Sequence, residues 1–403
     1  MPSKRPLTHR ACSIPAKPCP LWRAAPSSVP CTCTAAGCPF PNLSAFDVSA
    51  EADITQDLQA QVREAAARRH TLCITGSGSK AFYGRDAQAD DILATAGHRG
   101  IVSYEPSELV ITARAGTPLA DLEATLAGAG QMLAFEPPHF GAGATLGGTI
   151  ACGLSGPRRP YTGAARDVVL GTRLINGRGE VLRFGGQVMK NVAGYDLSRL
   201  MAGAMGTLGV LLEVSLKVLP RPATELTVVL ELPRDQVLTK LGELGRGTVP
   251  LSATCYTGDS LYLRLSGTER AVAAARKKTG GDVCNKGATF WHDVREQRRA
   301  FFQDDVPLWR LSLPPAAPWP NLPGKALLEW GGALRWYKTT APPAQVFAAA
   351  ATGGGHAMLF RGGDRKNDVF QPLKPALLAL HRRIKTALDP RGLFNPGRLY
   401  HDL

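Results

Sequence analysis

The residues of this sequence that are best suited to bind a ligand lie in three glycine-rich segments. They cover residues 74–84, 141–156 and 203–209, and each adjoins a run of β-prone residues. Glycine tolerates the positive φ angles that turn successive backbone amides toward an anion. The pattern therefore predicts that the three segments together cradle a phosphorylated cofactor.

The first segment begins with ITGSGSKAF at residues 74–82. It fits the loose G-x-G-x-x-G/A dinucleotide pattern, but residues 82–86, FYGRD, interrupt the long helix that this motif must open. It also lacks the Gly-Lys-Ser/Thr ending of a P-loop. Taken alone, the loop is either a phosphate contact or an ordinary turn.

The second segment holds six glycines in sixteen residues. So much glycine raises the entropy cost of folding, so we expect its backbone to approach something closely, such as a planar ring. The alternative is a flexible linker. Leu146, Ile150 and Leu154 among the glycines disfavour it, because linkers are polar.

Strands are predicted around these segments. Residues 167–175 and 180–184 flank Asn176-Gly177, which is a strong hairpin signal. Residues 210–219 alternate between apolar positions and Glu213, Ser215 and Lys217, which is typical of a strand. We therefore expect an α+β fold.

The order of further motifs resembles a known family. The motifs are RD at 166–167, KNVAGYDL at 190–197, GTLGV at 206–210 and LDPRGLFNPGR at 388–398. They resemble the FAD-binding domain of the vanillyl-alcohol oxidase (PCMH) type. The resemblance implies a two-subdomain FAD-binding domain, then an α+β cap domain whose C-terminal segment returns to the flavin.

Within this type, the chain from about residue 46 is similar to the smaller FAD-binding subunits of bacterial glycolate oxidases. The segments that carry the similarity are GSGSKAF at 76–82, GQML at 130–133, CGLSGPRRP at 152–160, the run at 184–200 and WGGALRW at 330–336. The resemblance implies oxidation of glycolate to glyoxylate, with the chemistry in a larger homologous flavin subunit and electrons leaving through an iron-sulfur subunit. A self-sufficient FAD oxidoreductase on another hydroxy acid or alcohol, and a flavin-free scaffold, are the alternatives.

The resemblance also implies where FAD lies. The diphosphate would contact the first segment, the flavin and ribityl chain the second, and the adenosine the third. The implied cofactor-binding residues are Thr75, Gly76, Ser77, Gly78, Ser79, Lys80, Thr145, Gly147, Gly148, Gly153, Gly156, Pro157, Gly163, Asp167, Gly206, Gly209, Val210 and Asn395. Relatives often have Gly-Ser-Glu-Gly at 203–206 and Asn at Gly153. Cys152 and His139 are the candidates for a covalent tether, but we expect non-covalent FAD.

No catalytic residue is assigned from the sequence. The eight histidines contain no His-x-His pair of the kind with which related 2-hydroxy-acid oxidases hold a metal or abstract a proton. We therefore expect no metal. His356 is either a catalytic base or a structural residue at the edge of a strand. Arg158 and Arg159 either hold a carboxylate or face solvent. Lys190 either lies beside the flavin or faces solvent.

Composition and charge bound the remaining expectations. The chain has 403 residues, of which 44% are apolar, and three regions are predicted: a disordered extension at 1–43, the FAD domain at 44–222 and the cap domain at 223–403. The extension is Pro-rich and holds five of the nine cysteines, but these form no C-x-x-C motif. Because the family resemblance begins after it, we expect that the start codon has been placed too far upstream.

The formal charge of +14 falls to +9 over residues 47–403 and follows no nucleic-acid-binding motif. Without an apolar run of membrane-spanning length, the chain is expected in the cytoplasm, with peripheral attachment at the inner membrane as the alternative.

Helices and strands alternate in the predicted cap domain. A hairpin is expected at 252–265, helices at 268–279, 342–352 and 375–388, and strands at 308–313, 326–330 and 333–338. We expect Trp309, Trp330 and Trp336 to pack the core of this domain rather than to contact substrate.

Overall fold

The computed structural model describes residues 51–186, 196–401 and 403. They form an α+β fold, as expected. The helices are α1 (Thr55–Arg68), α2 (Leu119–Gly128), α3 (Leu146–Cys152), α4 (Arg159–Thr162), α5 (Ala165–Val168), α6 (Leu197–Leu200), α7 (Arg234–Arg246), α8 (Glu269–Thr279), α9 (Gly287–Arg295), α10 (Pro343–Thr352) and α11 (Pro375–Leu388). The strands are β1 (Leu72–Thr75), β2 (Asp91–Ala94), β3 (Ile101–Glu105), β4 (Val110–Arg114), β5 (Gln131–Met132), β6 (Val169–Ile175), β7 (Val181–Gly185), β8 (Val210–Lys217), β9 (Leu219–Pro220), β10 (Thr224–Glu231), β11 (Leu251–Tyr256), β12 (Ser260–Gly267), β13 (Asp282–Val283), β14 (Leu308–Ser312), β15 (Lys325–Glu329), β16 (Leu334–Lys338) and β17 (His356–Arg361).

A five-stranded antiparallel sheet organises the first half, in the order β3-β4-β8-β6-β7. The predicted hairpin is confirmed, with Ile175 opposite Val181. In the central strand β8, seven of eight residues are buried, so its polar positions also need partners. Glu213 accepts from Arg173 Nη1 at 2.7 Å, and Ser215 Oγ lies 2.8 Å from Thr112 Oγ1.

A smaller parallel pair, β1-β2, packs beside α1. The C-terminal segment extends this layer, because Phe394 bridges Leu72 and is fully buried with Leu58 and Val62 of α1. The end of the chain is thereby attached to the strand that leads into the first glycine segment.

The second half forms an eight-stranded antiparallel sheet in the order β13-β10-β12-β11-β15-β16-β14-β17. Apolar residues of α7 and α8 pack on one face of it with Tyr256 and Leu328. The alternate residues on the other face, among them Leu327 and Trp336, cluster with Tyr83, Leu154 and Met205. This second face therefore lies over the glycine-rich segments.

The helices and strands expected in the second half are all present, within one or two residues at most ends. Helix α8 shows why: the Thr268 hydroxyl accepts from the Ala271 amide at 3.3 Å, and Gly280 ends the helix at φ 67°. The boundary predicted at residue 222 falls between β9 and β10. Residues 47–403 form one compact unit.

Candidate cofactor cradle and adjoining cavity

The structure brings the three glycine-rich segments together. A Cβ on Gly143 would lie 3.2 Å from Ser77 Cβ, and a Cβ on Gly76 would lie 2.6 Å from Thr145 Oγ1, so the first two segments face each other. The third segment joins them through hydrogen bonds from the Gly203 amide to Ile150 at 3.0 Å and from the Met205 amide to Ala151 at 2.8 Å. We call these residues, 75–80, 141–156 and 203–206, the glycine cradle.

The first loop of the cradle has the geometry of an anion site. Gly78 has φ 77°, and nothing lies within 4 Å of the position that its Cβ would take. Ser77 and Gly78 are exposed. Within the described residues, the amides of Gly76, Ser77 and Gly78 donate to no protein acceptor. Consecutive free amides beside a left-handed glycine fit a phosphate, and so fit the diphosphate of FAD.

The second segment folds in a way that its glycines alone did not indicate, because seven of its residues form α3. Thr145 caps this helix through Oγ1, which accepts from the Gly148 amide at 3.3 Å, and Gly153 ends it at φ 62°. Gly147 packs against Ala115, where a Cβ would come within 2.7 Å of the alanine Cβ. Several glycines of this segment thus permit close contacts within the protein itself.

Asn395 connects the C-terminal segment to the cradle. Its Oδ1 accepts from the Ile74 amide at 2.8 Å, and its Nδ2 donates to the Met205 carbonyl at 2.6 Å. A Cβ on Gly206 would lie 2.6 Å from this Nδ2. The side-chain amide is therefore already used to hold two cradle segments in place.

The other implied contact residues have different surroundings. Asp167 caps α5 by accepting from the Ala164 amide at 2.9 Å, next to Gly163 at φ 95°. Val210 is fully buried in the core beside α1, so its side chain faces away from the cradle, and Gly209 packs against Ile175. Pro157 and Gly156 line the adjoining cavity instead.

Lys80, Cys152 and His139 lie near one another. Lys80 is buried and donates from Nζ to the His139 carbonyl at 3.1 Å, and desolvation lowers its pKa. Burial raises the pKa of the Cys152 thiol to about 11, although the charges of Lys80 and Arg398 oppose the shift. His139 Nε2 lies 3.0 Å from Glu123 Oε2. A neutral thiol and a paired imidazole are poor nucleophiles, in keeping with a non-covalent cofactor.

A small cavity lies between residues 154–157, at the end of the second cradle segment, and the eight-stranded sheet. It is lined by Trp336 and Phe360 on the sheet side, and Glu329 and Arg310 contribute its ionisable side chains there. Glu329 is 4% exposed and accepts from Trp336 Nε1 at 2.7 Å. Burial raises its pKa to about 7, opposed by the Trp336 hydrogen bond and the charge of Arg310.

Cationic side chains surround Trp330 at the edge of this cavity. The guanidinium carbons of Arg159 and Arg310 lie 4.3 Å and 5.2 Å from the Trp330 ring centroid, and neither arginine forms an ion pair within the described residues. Desolvation and the charge of Arg310 lower the pKa of Arg159 to about 10. Desolvation and the charges of Arg310 and Arg159 also lower the pKa of His356, the first residue of β17.

Several sequence-based interpretations are resolved by these contacts. Arg158 does not face solvent and is not free for a ligand, because it pairs with Glu136 and with Glu225, at 3.3 Å and 2.5 Å. Trp309 lies in the helix-facing core, as expected, whereas Trp330 and Trp336 are buried but also line the cavity. Lys190 lies outside the described residues.

The sequence reasoning missed four polar residues that line the cavity: Glu329, Arg310, Gln297 and Arg295. A signal was present for one of them, since Glu329 interrupts the otherwise apolar run ALLEW at 326–330. No group of three or more His, Cys, Asp and Glu side chains suited to a metal occurs in the described part of the chain.

Comparisons with known proteins support this reading of the cradle. Residues 47–185 match the model of the FAD binding domain family, and residues 362–399 match that of the C-terminal domain of FAD linked oxidases. The structure of p-cresol methylhydroxylase has the same fold, with a TM-score of 0.65 over 87% of this chain and 88% of that chain, at 15% identity.

Two curated relatives define the relationship more closely. Over 129 residues, 32% of this chain and 27% of the relative, the sequence is 33% identical to glycolate oxidase subunit GlcD of Bacillus subtilis. Over 353 residues, 88% of this chain and 99% of the relative, it is 51% identical to glycolate oxidase subunit GlcE of Escherichia coli. The chain therefore belongs to the FAD-binding family of glycolate oxidase subunit GlcE.

Proposed function

We propose that this chain is the FAD-carrying subunit of a complex that oxidises glycolate to glyoxylate. The observation that carries the proposal is the 51% identity to a glycolate oxidase subunit over 99% of that relative's length. The free amides of Gly76, Ser77 and Gly78 at the centre of the glycine cradle support it, because they suit the cofactor's diphosphate.

In this proposal the chain's own residues hold and orient the cofactor. The loop at 76–79 would bind the diphosphate, residues 147–157 would border the flavin ring, and residues 206–210 would lie toward the adenosine. Bound FAD would supply a two-electron acceptor. Asn395 and Thr145 would act by holding the cradle segments in place, since both side chains already bond to backbone within it.

A larger homologous flavin subunit and an iron-sulfur subunit complete the proposed complex. This division of work is supported by the sequence, which has no His-x-His pair, and by its similarity to a second glycolate oxidase subunit, GlcD, over 32% of the chain. No helix among the described residues is long and apolar enough to cross a membrane. We propose a cytoplasmic location with peripheral attachment through partners.

Purification of the full-length chain tests the cofactor assignment first. The protein is expected to be yellow and to release FAD on acid precipitation. The purified chain is then assayed for glycolate-dependent dye reduction alone and with the partner subunits co-expressed, and turnover is expected only in the complex. A folded but colourless chain that takes up no added FAD would leave the scaffold alternative. Turnover by the chain alone would favour a self-sufficient oxidoreductase.

A further inference from the structure

Residues 139–141 form a short loop that leads into the second segment of the glycine cradle. Gly141 lies against the first segment, since a Cβ at this position would come within 3.3 Å of Ser79 Cβ. Lys80 Nζ, also from the first segment, donates to the His139 carbonyl at 3.1 Å. The position of this loop therefore affects how closely the first two cradle segments approach each other.

The loop has a backbone conformation that it does not favour by itself. Phe140 has φ 52°, a left-handed conformation that is uncommon outside glycine. A residue keeps such a conformation only where the surrounding structure holds it. The amides of His139 and Phe140 both donate to one side chain from the second half of the chain, so the contact that holds the loop comes from there.

This side chain is Glu296, which follows α9 and is buried. Its Oε2 accepts from the His139 amide at 3.1 Å and from the Phe140 amide at 2.9 Å, and its Oε1 accepts from Arg295 Nε at 2.8 Å. Burial by itself would raise the pKa of Glu296, but the Phe140 amide, the charge of Arg295 and the His139 amide lower it below its ordinary value. The loop is therefore held by an ionised carboxylate.

The contact is fixed in turn by Glu123 of α2. His139 Nε2 lies 3.0 Å from Glu123 Oε2, and Arg295 Nη1 lies 4.0 Å from Glu123 Oε1. His139 thus joins three parts of the molecule: its carbonyl bonds to the first cradle segment, its amide to Glu296 and its ring to α2. The carboxylate of Glu296 is the link in this group that the second half of the chain supplies.

We propose that Glu296 is a positioning residue for FAD. Its carboxylate holds residues 139–141 against the first cradle loop, so that the cradle is formed before the cofactor enters. A loop that adopts the binding conformation in only a fraction of the molecules lowers the affinity in proportion to that fraction. The inference rests on the proposed function only in taking FAD as the ligand of the cradle.

A glutamine at position 296 would have the size of glutamate without its capacity to accept hydrogen bonds. The amides of His139 and Phe140 and the Nε of Arg295 all donate to the two carboxylate oxygens. Glutamine offers a single oxygen, and its NH₂ group is itself a donor. Glu296→Gln should therefore leave at least one of these donors unpaired and loosen the loop without removing bulk.

Titration of the flavin-stripped full-length chain with FAD measures this effect, followed by flavin fluorescence and by the visible circular dichroism of the bound flavin. We expect Glu296→Gln to raise the Kd for FAD at least about tenfold. Glu213→Gln is the control, because Glu213 is likewise buried and pairs with Arg173 but belongs to β8, outside the glycine cradle. Its Kd for FAD should equal that of the wild type.

Hydrogen exchange separates positioning of the loop from a general loss of stability. In flavin-free Glu296→Gln, the amides of His139 and Phe140 should exchange at least about tenfold faster than in the wild type. Saturating FAD should restore most of their protection, because the coupling between loop and ligand is reciprocal. In Glu213→Gln the two amides should exchange at the wild-type rate.

A second variant keeps the test decisive if Glu296→Gln does not fold, which melting curves from circular dichroism will show. Glu296→Asp keeps the charge and both acceptor oxygens but withdraws them by one methylene group. It should weaken FAD binding less than Glu296→Gln and more than Glu213→Gln.

Two outcomes would overturn the inference: a Kd for FAD that the Glu296 variants leave unchanged, or an equal rise in Glu213→Gln, which would trace the loss to general destabilisation. With FAD still bound by the wild type, either outcome leaves the proposed function intact. A wild-type chain that takes up no FAD loses both. A chain whose Glu296 sets the affinity for FAD but which supports no glycolate turnover in the complex loses only the proposed function.

Discussion

At the scale of single residues, Gly78 is the position where backbone conformation and cofactor binding are most directly linked. Its φ of 77° is strained for any other residue, and the space beside it is open. Gly280, at φ 67° with nothing within 4 Å, has the same properties but ends α8 far along the chain. Both glycines have a positive φ, and they differ in their surroundings.

We expect Gly78→Ala to lower the FAD content of the purified protein at least about tenfold, because it strains the loop whose amides are free and places a methyl group in the open space. Gly280→Ala should also lower the free energy of unfolding, because φ 67° with ψ −158° strongly favours glycine, but it should leave FAD content unchanged. Acid-released flavin per chain and urea denaturation measure the two effects. Equal flavin loss in both variants would show that the loop has no special role.

Asn395 offers a second test at this scale, because its side-chain amide bonds to two cradle segments. Asn395→Ala should lower the free energy of unfolding by about 2–4 kcal/mol, since the Ile74 amide and the Met205 carbonyl lose their partner. The loss should be the same in protein stripped of flavin. Asn367→Ala, at an exposed asparagine, should cost less than about 0.5 kcal/mol. A stability loss seen only with FAD bound would instead make Asn395 a cofactor contact.

At the scale of elements, the end of α11 attaches the C-terminal segment to the rest of the cradle. Lys385 Nζ donates to Asp389 Oδ2 at 2.7 Å and to the carbonyls of Thr207 and Phe394 at 2.7 Å and 2.9 Å. Asp389 is 1% exposed and accepts from the Leu393 and Phe394 amides. A buried ion pair thus links α11, the C-terminal segment and the loop before β8.

Removing one partner of this pair should be costly. Lys385→Met is expected to lower the free energy of unfolding by about 3–5 kcal/mol, because it leaves the Asp389 carboxylate buried without a counter-charge. The double variant Lys385→Met, Asp389→Asn should recover part of this loss, since it removes the uncompensated charge and keeps an acceptor for one amide. Urea denaturation of both variants measures the difference. A single variant as stable as the wild type would mean that the pair contributes nothing net.

The same elements show what the sequence could and could not predict. The β6-β7 hairpin and the helix α8 were predicted because Asn176, Thr268 and Gly280 act on their immediate neighbours. Helix α3 was missed because glycine has a low helix propensity. At position 147, however, close packing against Ala115 requires a glycine within the helix. The glycine pattern located the segment correctly, but only the tertiary contacts reveal that many of its close approaches are to the protein itself.

At the scale of the whole molecule, the cavity depends on residues that are far apart in sequence. Glu329 and Arg310 lie on separate strands of the eight-stranded sheet, while Gly156 belongs to the glycine cradle. No local pattern places these residues together, and their role emerges only when one face of the sheet covers the cradle. The segments of the glycine cradle were predictable because each is continuous in sequence, whereas the cavity is assembled by tertiary folding.

The burial of Glu329 in this cavity makes the stability of the molecule depend on pH. Its folded pKa of about 7 lies above the value of about 4.3 expected in the unfolded chain, so between these values the folded state holds a proton that the unfolded state releases. The contribution of Glu329 to the free energy of unfolding is therefore fully present below pH 4 or so and falls by up to about 3 kcal/mol as the pH rises through about 7.

Glu329→Gln removes this titration while preserving the shape of the side chain. The stability of the variant relative to the wild type should therefore rise by about 3 kcal/mol between pH 4 and pH 8, as measured by urea denaturation at several pH values. The difference between the two proteins isolates this site, because all other titrating groups are shared. If the difference does not change with pH, Glu329 is ionised in the folded protein throughout this range. The positive charge of Arg310 then outweighs the cost of burial.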